Sequence, residues 1–578
     1  MANTPNDPSR APLLRSDSSS TIGPLSSNSS ANDASRTRKR IASAFTLRAI
    51  AFAAAVLGAF GAGSITVFSL YGHLFQERLR YTQFEVNTVA SAMNVAMYVA
   101  VPLIGYLCDR VGPGPLALAA LFLHGGSYAL AAGLYRKGLQ EAQVHDNHSK
   151  TTFGPMVFAF VLIGISTSLL YIGSITTCAK NFGKGKYRGL LLVAPIASFG
   201  LSGMILSQIA SRLLYETQPD GTRGDINVFH FFIFLGILLV VIDLVGTFAL
   251  RIVEEDALID GAVEELERSG ILEGSEFLRR RSERSYGTID QSATLDDDEN
   301  TLLEPSKDDE EEDMYAKLKK AWLLNAETKR FLNDPTMWFF AVGFWLIIGP
   351  GESFISNLGT VIGTLHTPGS DSSSTTAATH ISIMAAVSTV ARLVIASLSD
   401  LLSPTPSSPH IQIGAPHSLP VTQQRFAVSR VILYFASALL FSVGTLLLAS
   451  GAIQEHAERF WMVSSAIGAG YGAVFSLTPI IITLIWGVEN FGTNFGIIAL
   501  TPAVGSLMWN LVYSAVYQAG TKNSPSANDG SDDDMFCFGK QCYSASFWAM
   551  TVSIWIGALM VLWAWKGRNG WSARGIVI

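Results

Sequence analysis

Charge is scarce in this chain. Of its 578 residues only 15% are Asp, Glu, Lys or Arg, whereas 49% are hydrophobic, and the mean hydropathy is +0.33. A soluble domain carries about a quarter charged residues, so this balance excludes an ordinary soluble fold and indicates a membrane protein. Cysteine is also scarce, with four in all. That excludes a disulfide-built scaffold, and no C-x-x-C spacing is present to hold a metal. Basic residues form no nucleic-acid footprint, and the net charge of -6 reflects one acidic central segment. No apolar h-region opens the chain. Its first forty residues are rich in Ser, Asn and Pro, so residues 1–47 are expected to form a disordered cytosolic tail. The first membrane helix then serves as insertion signal. No His/Asp or Ser/His pairing at a membrane surface supports an enzyme, and no cofactor is expected.

What is present is a succession of long apolar stretches. A spanning helix needs about 20 apolar residues, and such windows fall at about 48–71, 86–107, 114–135, 154–177, 189–213 and 229–250. Six more lie at about 336–363, 379–398, 426–450, 459–486, 492–517 and 546–566. Between the two sets, residues 251–333 contain Asp296-Asp297-Asp298-Glu299 and a run from Asp308 to Asp313. Charge runs of this kind stay solvated, so an acidic, disordered cytosolic linker is expected there. The expected fold is an all-α membrane protein with twelve transmembrane helices in two pseudo-symmetric six-helix halves, 48–250 and 334–566, with a tail at 567–578.

Orientation follows from Lys and Arg near the helix ends. Arg36, Arg38, Lys39 and Arg40 precede the first helix; Lys180, Lys184, Lys186 and Arg188 separate the fourth from the fifth. Both termini and the linker are therefore expected in the cytosol, and Lys566, Arg568 and Arg574 agree. Arg78, Arg80, Arg136, Lys137 and Lys150 on the other face make the bias incomplete.

Where the second apolar stretch runs out, the chain reads Gly105-Tyr106-Leu107-Cys108-Asp109-Arg110-Val111-Gly112. A small residue lets two helices approach closely, while an acid and a base lock the junction between them. The pattern G-x-x-x-D-R-x-G resembles the signature between the second and third helices of the major facilitator superfamily. It lacks that signature's final basic pair, since Pro113 and Gly114 stand there. Further along come Phe68-Ser69-Leu70-Tyr71, Asn181-Phe182, Arg188-Gly189, Gly200-Leu201-Ser202-Gly203, Asn357-Leu358-Gly359, Ala391-Arg392, Ser399-Asp400, Gly470-Tyr471-Gly472-Ala473 and Phe491-Gly492-Thr493. In this order they resemble the nodulin-like branch, and the whole chain is similar to the fungal monocarboxylate transporter homologues. The resemblance implies alternating access about a midplane site and placement in the vacuolar membrane, with the plasma membrane as the alternative.

Ionisable groups at membrane depth are costly and tend to line a cavity. Arg392, near the middle of the eighth span, offers a planar five-donor fork for a carboxylate. In the animal monocarboxylate carriers an Arg in this setting is thought to meet substrate, with an acid four residues earlier; here that residue is Ser388. The alternative is that Arg392 pairs with an internal carboxylate and only holds helices together. Glu352, within Gly349-Pro350-Gly351-Glu352, sits at a break in the seventh helix and is suited to take up and release a proton. Asn357, one turn on, completes the substrate-binding set. Asp243 reads as a helix-end contact, and His230 and His380 as interfacial residues.

Outside the membrane, Cys537 and Cys542 fall in a loop expected on the non-cytosolic face and are candidates for a disulfide. Asn147-His148-Ser149 is a glycosylation sequon on the same face. Asp298-Glu299-Asn300-Thr301-Leu302-Leu303 matches an acidic dileucine sorting pattern. The reading is a secondary active transporter for a small organic anion such as a monocarboxylate, with proton coupling as an option. Its partners would be that solute, protons and membrane lipid. A membrane solute sensor without net transport is the alternative.

Overall fold

The computed structural model describes residues 27–81, 83–144, 150–185, 187–217, 223–253, 307–365, 377–402, 428–454, 456–522, 537–576 and 578. The described residues divide by their packing into two units, one up to Leu47 and one from Arg48 onward. In the first, helix is described from Ser27 onward. The packing below concerns the second.

Helix α1 (Ser27–Ala62) passes through a 3-10 turn (Gly63–Val67) into α2 (Phe68–Leu79). There follow α3 (Gln83–Val111), α4 (Pro113–Val144), α5 (Lys150–Phe182) and α6 (Arg188–Leu213). A short antiparallel hairpin, β1 (Tyr215–Thr217) and β2 (Arg223–Ile226), leads to α7 (Val228–Ala249). Helix α8 (Lys307–Asn333) precedes the second half, which comprises α9 (Pro335–Thr364), α10 (Ala377–Leu402), α11 (Arg430–Ser450), α12 (Phe460–Ile485), α13 (Phe491–Ala499), α14 (Thr501–Lys522) and α15 (Ser544–Lys566). Among the described residues, twelve helical segments are long and apolar enough to cross a membrane, α1 with its turn and α13 with α14 each making one. They coincide with the twelve expected stretches.

The halves repeat one packing scheme. In the first, α3 packs on α5, α5 on α4 and α4 on α7; in the second, α10 packs on α12, α12 on α11 and α11 on α15. With no hydrophobic drive between helices in lipid, close approach and buried polar bonds hold such bundles together. The corresponding outer pairs carry a polar bond each. Between α4 and α7, His124 Nδ1 lies 2.7 Å from Asp243 Oδ2 with both side chains fully buried. Between α11 and α15, Thr445 and Thr551 hydroxyls meet at 2.8 Å. Large apolar side chains such as Phe122, Leu401 and Leu511 instead face outward, 70 to 75% exposed. In water such a surface would be a liability, and it suits lipid.

Three expectations differ from the structure. The linker, expected to lack regular structure through Asn333, is helical from Lys307, and α8 buries Leu323, Leu324 and Phe331. Its acidic start favours a helix N-terminus rather than opposing one. Helix α1 begins at Ser27, inside the segment expected to be disordered. The segment after α15 is no free tail: Trp571 is fully buried and donates from Nε1 to Thr336 Oγ1 at 2.9 Å. Arg574 makes two bonds to Asp334 at 2.8 and 2.7 Å, and Trp486 Nε1 donates to the same carboxylate at 3.0 Å. Burial alone would raise the Asp334 carboxyl, but the bonds from Arg574 and Thr336 outweigh it and hold it down to about 2. The acidic run 296–299 and the dileucine pattern lie outside the described residues.

Candidate functional site

Two junctions join the halves, α3 with α13 and α6 with α10. The polar contacts across them concentrate between the membrane centre and the face that carries α8, here called the linker face. At α3, Gly105 fits directly against the Gly492 carbonyl, where any Cβ would collide. One turn on, Asp109 is fully buried. Its carboxylate accepts from Gly492 N at 3.2 Å and from Thr493 N and Oγ1 at 2.6 and 2.8 Å. Helix α13 has no side-chain cap of its own, so Asp109 satisfies orphan amides at its N-terminus and meets the positive end of its dipole. The acid and base that lock the junction are not adjacent in sequence. Lys180 of α5 supplies the base, 3.0 Å from Asp109. Arg110 turns outward, stacks over Tyr106 at 4.4 Å and bonds Asn325 of α8. Gly112, at φ +85°, ends α3 and donates to Cys108 O.

The other junction repeats this arrangement. Asp400 of α10 accepts from Gly189 N at 2.9 Å and Leu190 N at 3.0 Å at the start of α6, which also lacks a side-chain cap.

Nearer the membrane centre, Glu352 of α9 accepts from the Tyr471 hydroxyl at 2.6 Å and, across the halves, from the Tyr98 hydroxyl at 3.3 Å. The glycines around it make this possible. A Cβ at Gly351 would lie 2.6 Å from the Tyr471 ring, and one at Gly349 2.9 Å from Gly505 Cα. Despite Pro350, α9 continues through this region. Asn357 donates to Ser353 O at 2.8 Å and to Asn510 Oδ1 of α14 at 2.9 Å. Arg392 is buried, donates from Nη1 to the Ile196 carbonyl of the other half at 2.7 Å, and lies 5.6 Å from the Phe475 ring. Gly200 leaves it room, since a Cβ there would meet Nη1 at 3.2 Å. Its Nε is buried without a partner, as is Ser388 Oγ, which Gly472 admits between α10 and α12. Among the described residues no ion pair joins Arg392 to Glu352.

The structure thus brings Glu352 and Arg392 to the inter-half surface, with Asn357 beside Asn510 and Ser388 buried one turn from Arg392. Tyr98 and Tyr471 were not anticipated as ligands of Glu352. A phenol inside an apolar span, and a Tyr flanked by two glycines, were the available signals. Asp243 is no helix-end contact: it is fully buried against His124, the partner that an ionisable residue in a span requires. His380 is buried too, 3.1 Å from Ser464 Oγ, whereas His230 is exposed. Cys537 and Cys542 form a disulfide. Asn147 lies outside the described residues. Among the described residues no group of three His, Cys, Asp or Glu side chains is placed to hold a metal. A cavity of about 600 Å³ opens beside the far end of α6, around Gln208 and Arg212, away from the charged cluster.

Two six-helix halves, joined by caps at one face and meeting around buried charges at mid-membrane, define a transporter fold. Over residues 43–415 the chain matches the Major Facilitator Superfamily, and it belongs to that family. It is 52% identical to the "Probable transporter mch1" of Neurospora crassa, over 98% of this chain and 97% of that protein. It is 50% identical to the "Probable transporter MCH1" of Gibberella zeae over the full length of both. Among solved structures, the proton:xylose symporter XylE aligns at TM-score 0.54 and 12% identity, over 90% of this chain and 96% of that one. A bacterial homologue of ferroportin, in an outward-facing state, aligns at TM-score 0.54 and 8% identity, over 89% of this chain and 98% of that one. At such identities these two support the fold alone.

Proposed function

We propose that the chain is a secondary active transporter that moves a small organic anion, such as a monocarboxylate, together with a proton by alternating access. The linker face is cytosolic in this reading, the membrane is vacuolar, and the Asn147 sequon and the Cys537–Cys542 loop are lumenal. One observation carries it: Arg392 and Glu352 each bond across the halves at mid-membrane, to the Ile196 carbonyl and the Tyr98 hydroxyl. A substrate carboxylate is a better acceptor for a guanidinium than a helix carbonyl, so binding would exchange the Ile196 contact for a charge-assisted bond and loosen that junction. Protonating Glu352 removes a strong acceptor from Tyr98 and Tyr471. Anion and proton would thus each weaken a bond between the halves, which is what coupled carriage needs. Asn357 and Ser388 supply neutral polar groups beside the path.

The test is counterflow of labelled monocarboxylates in proteoliposomes containing the purified protein. Exchange that accelerates with an inward proton gradient supports the reading. Binding without any exchange would make the protein a sensor and overturn it.

A further inference from the structure

The start of α6 and the start of α11 each bury an arginine at the linker face, and among the described residues each guanidinium keeps an N–H group that nothing accepts. Arg188 is 7% exposed and Arg430 2%. Arg430 donates from Nε to Ser399 Oγ at 2.9 Å, but its Nη1 has no partner. Arg188 Nη2 has none either. The two arginines flank the same end of α10: Arg430 bonds Ser399, and Arg188 directly precedes Gly189, whose N–H donates to Asp400. Asp400 is committed elsewhere, since both of its oxygens accept amide N–H groups of α6. Among the described residues no ion pair joins either guanidinium to a carboxylate; the terminal carboxylate of Ile578 accepts from the Arg430 backbone N–H at 3.3 Å instead. The adjoining sequence cannot supply one from its side chains: residues 183–187, 403–429 and 567–578 contain no Asp or Glu.

Two buried guanidiniums with N–H groups left unused, beside a side-chain carboxylate already engaged, are among the costlier features a protein can keep. Guanidinium forks match oxyanions rather than halides, and phosphate offers two such forks more oxygens and up to one more charge than a carboxylate does. The site lies at a membrane surface, where such an anion is available as a lipid headgroup as well as in free form. We propose that Arg188 and Arg430 form a phosphate-binding site at the junction of α6, α10 and α11. Because Arg188 and Arg430 sit on opposite halves of that junction, an anion held by both stabilises the arrangement closed at the linker face. The site is separate from the one around Arg392 and does not depend on how that one is used.

The experiment is thermal unfolding of the full-length purified protein in phosphatidylcholine nanodiscs. One arm adds inorganic phosphate at millimolar concentration against chloride of equal ionic strength; the other replaces a small share of the lipid with a phosphatidylinositol phosphate. A ligand of the native state raises apparent stability, and a rise of roughly 2–5 °C is expected near saturation. A rise in the first arm identifies free phosphate as the source, and a rise in the second alone identifies the headgroup. Arg188→Gln must abolish the rise. Among the described residues this variant removes no hydrogen bond, so without ligand it should melt no lower than the wild type. Arg251→Gln, an exposed site on the same face, must leave the rise intact. A rise in neither arm overturns the proposal, as does one that survives Arg188→Gln or is lost with Arg251→Gln.

Discussion

Asp109 and Asp400 hold equivalent positions: each carboxylate accepts the amide N–H groups of the second and third residues of a helix in the opposite half. Each of those helices carries Gly at its second position, Gly492 in α13 and Gly189 in α6. A Cβ there would lie 3.1 Å from Asp109 Oδ1 or 2.6 Å from Asp400 Oδ1. Closure at the linker face therefore includes two borrowed helix caps related by the internal twofold, set in an apolar cluster that runs across both halves. Caps are reversible: an amide lost to its partner finds water once the junction opens.

Removing one cap acceptor should shift the gate without unfolding the protein. Asp400→Asn weakens two amide bonds and a dipole interaction, at a cost of about 1 kcal/mol and so roughly a fivefold change in the open population; Asp109→Asn also takes the Asp109 counter-charge from buried Lys180, so its change should be at least as large. Buried Cys108 and Cys178, which form no disulfide among the described residues, report it. Maleimide labelling of these thiols should accelerate by at least that factor in the Asp109 variant. Turnover should fall more than substrate affinity. Unchanged labelling with weakened binding would contradict the gate role.

The buried pair of His124 and Asp243 predicts a different response, because its members face no junction between the halves. His124→Ala leaves a fully buried carboxyl without its partner and should cost about 3 kcal/mol, read as a drop in melting temperature. Joint replacement by leucines should recover most of that loss. A double variant as unstable as the single one would mean that the pair does more than hold α4 on α7.

Acid should release the segment after α15 from the start of α9. The Asp334 carboxyl is held at about 2, below its unfolded value of about 4. Its contribution is therefore full above about pH 4 and is lost as pH falls toward 2. With Arg574 a third exposed, the contribution is on the order of 1 kcal/mol. Tryptophan fluorescence should follow the change through buried Trp571. Asp334→Asn should flatten the profile over that window; a profile identical to the wild type's would remove the clamp from the account.

The twelve spans, and a close helix junction at Gly105 and Asp109, were legible because hydropathy and small-residue spacing are local properties of the chain; that the junction joins the two halves was not. Arg392 and Glu352 were legible for a related reason, as charges with no cheap place in an apolar span. Their partners were not. The Tyr98 contact spans 254 residues and the Ile196 carbonyl 196, and a backbone carbonyl has no signature in a sequence. Lys180 read as a topology signal because a basic residue at a helix end usually is one; only the fold places it on Asp109. Helix α8 was missed because net charge outweighed Leu323, Leu324 and Phe331, whose burial depends on surfaces supplied by the rest of the protein.

The charges at the inter-half site offer the sharpest separation of a substrate role from a structural one. Arg392→Lys keeps the charge but loses the fork that serves the Ile196 carbonyl and, in the proposed cycle, the anion, so affinity should fall roughly tenfold. Arg392→Ala should abolish uptake. Glu352→Gln keeps a polar group against Tyr98 and Tyr471 but carries no proton, so counterflow should persist while accumulation driven by a proton gradient is lost. Because no ion pair joins the two side chains among the described residues, the melting temperatures of Arg392→Ala, Glu352→Gln and the double variant should be close to additive, with a coupling below about 1 kcal/mol. A large coupling, with the double variant refolding what Arg392→Ala destabilised, would make the arginine a structural partner of the acid. Normal anion uptake by a well-folded Arg392→Ala protein would leave the fold and the gate standing and remove the anion site.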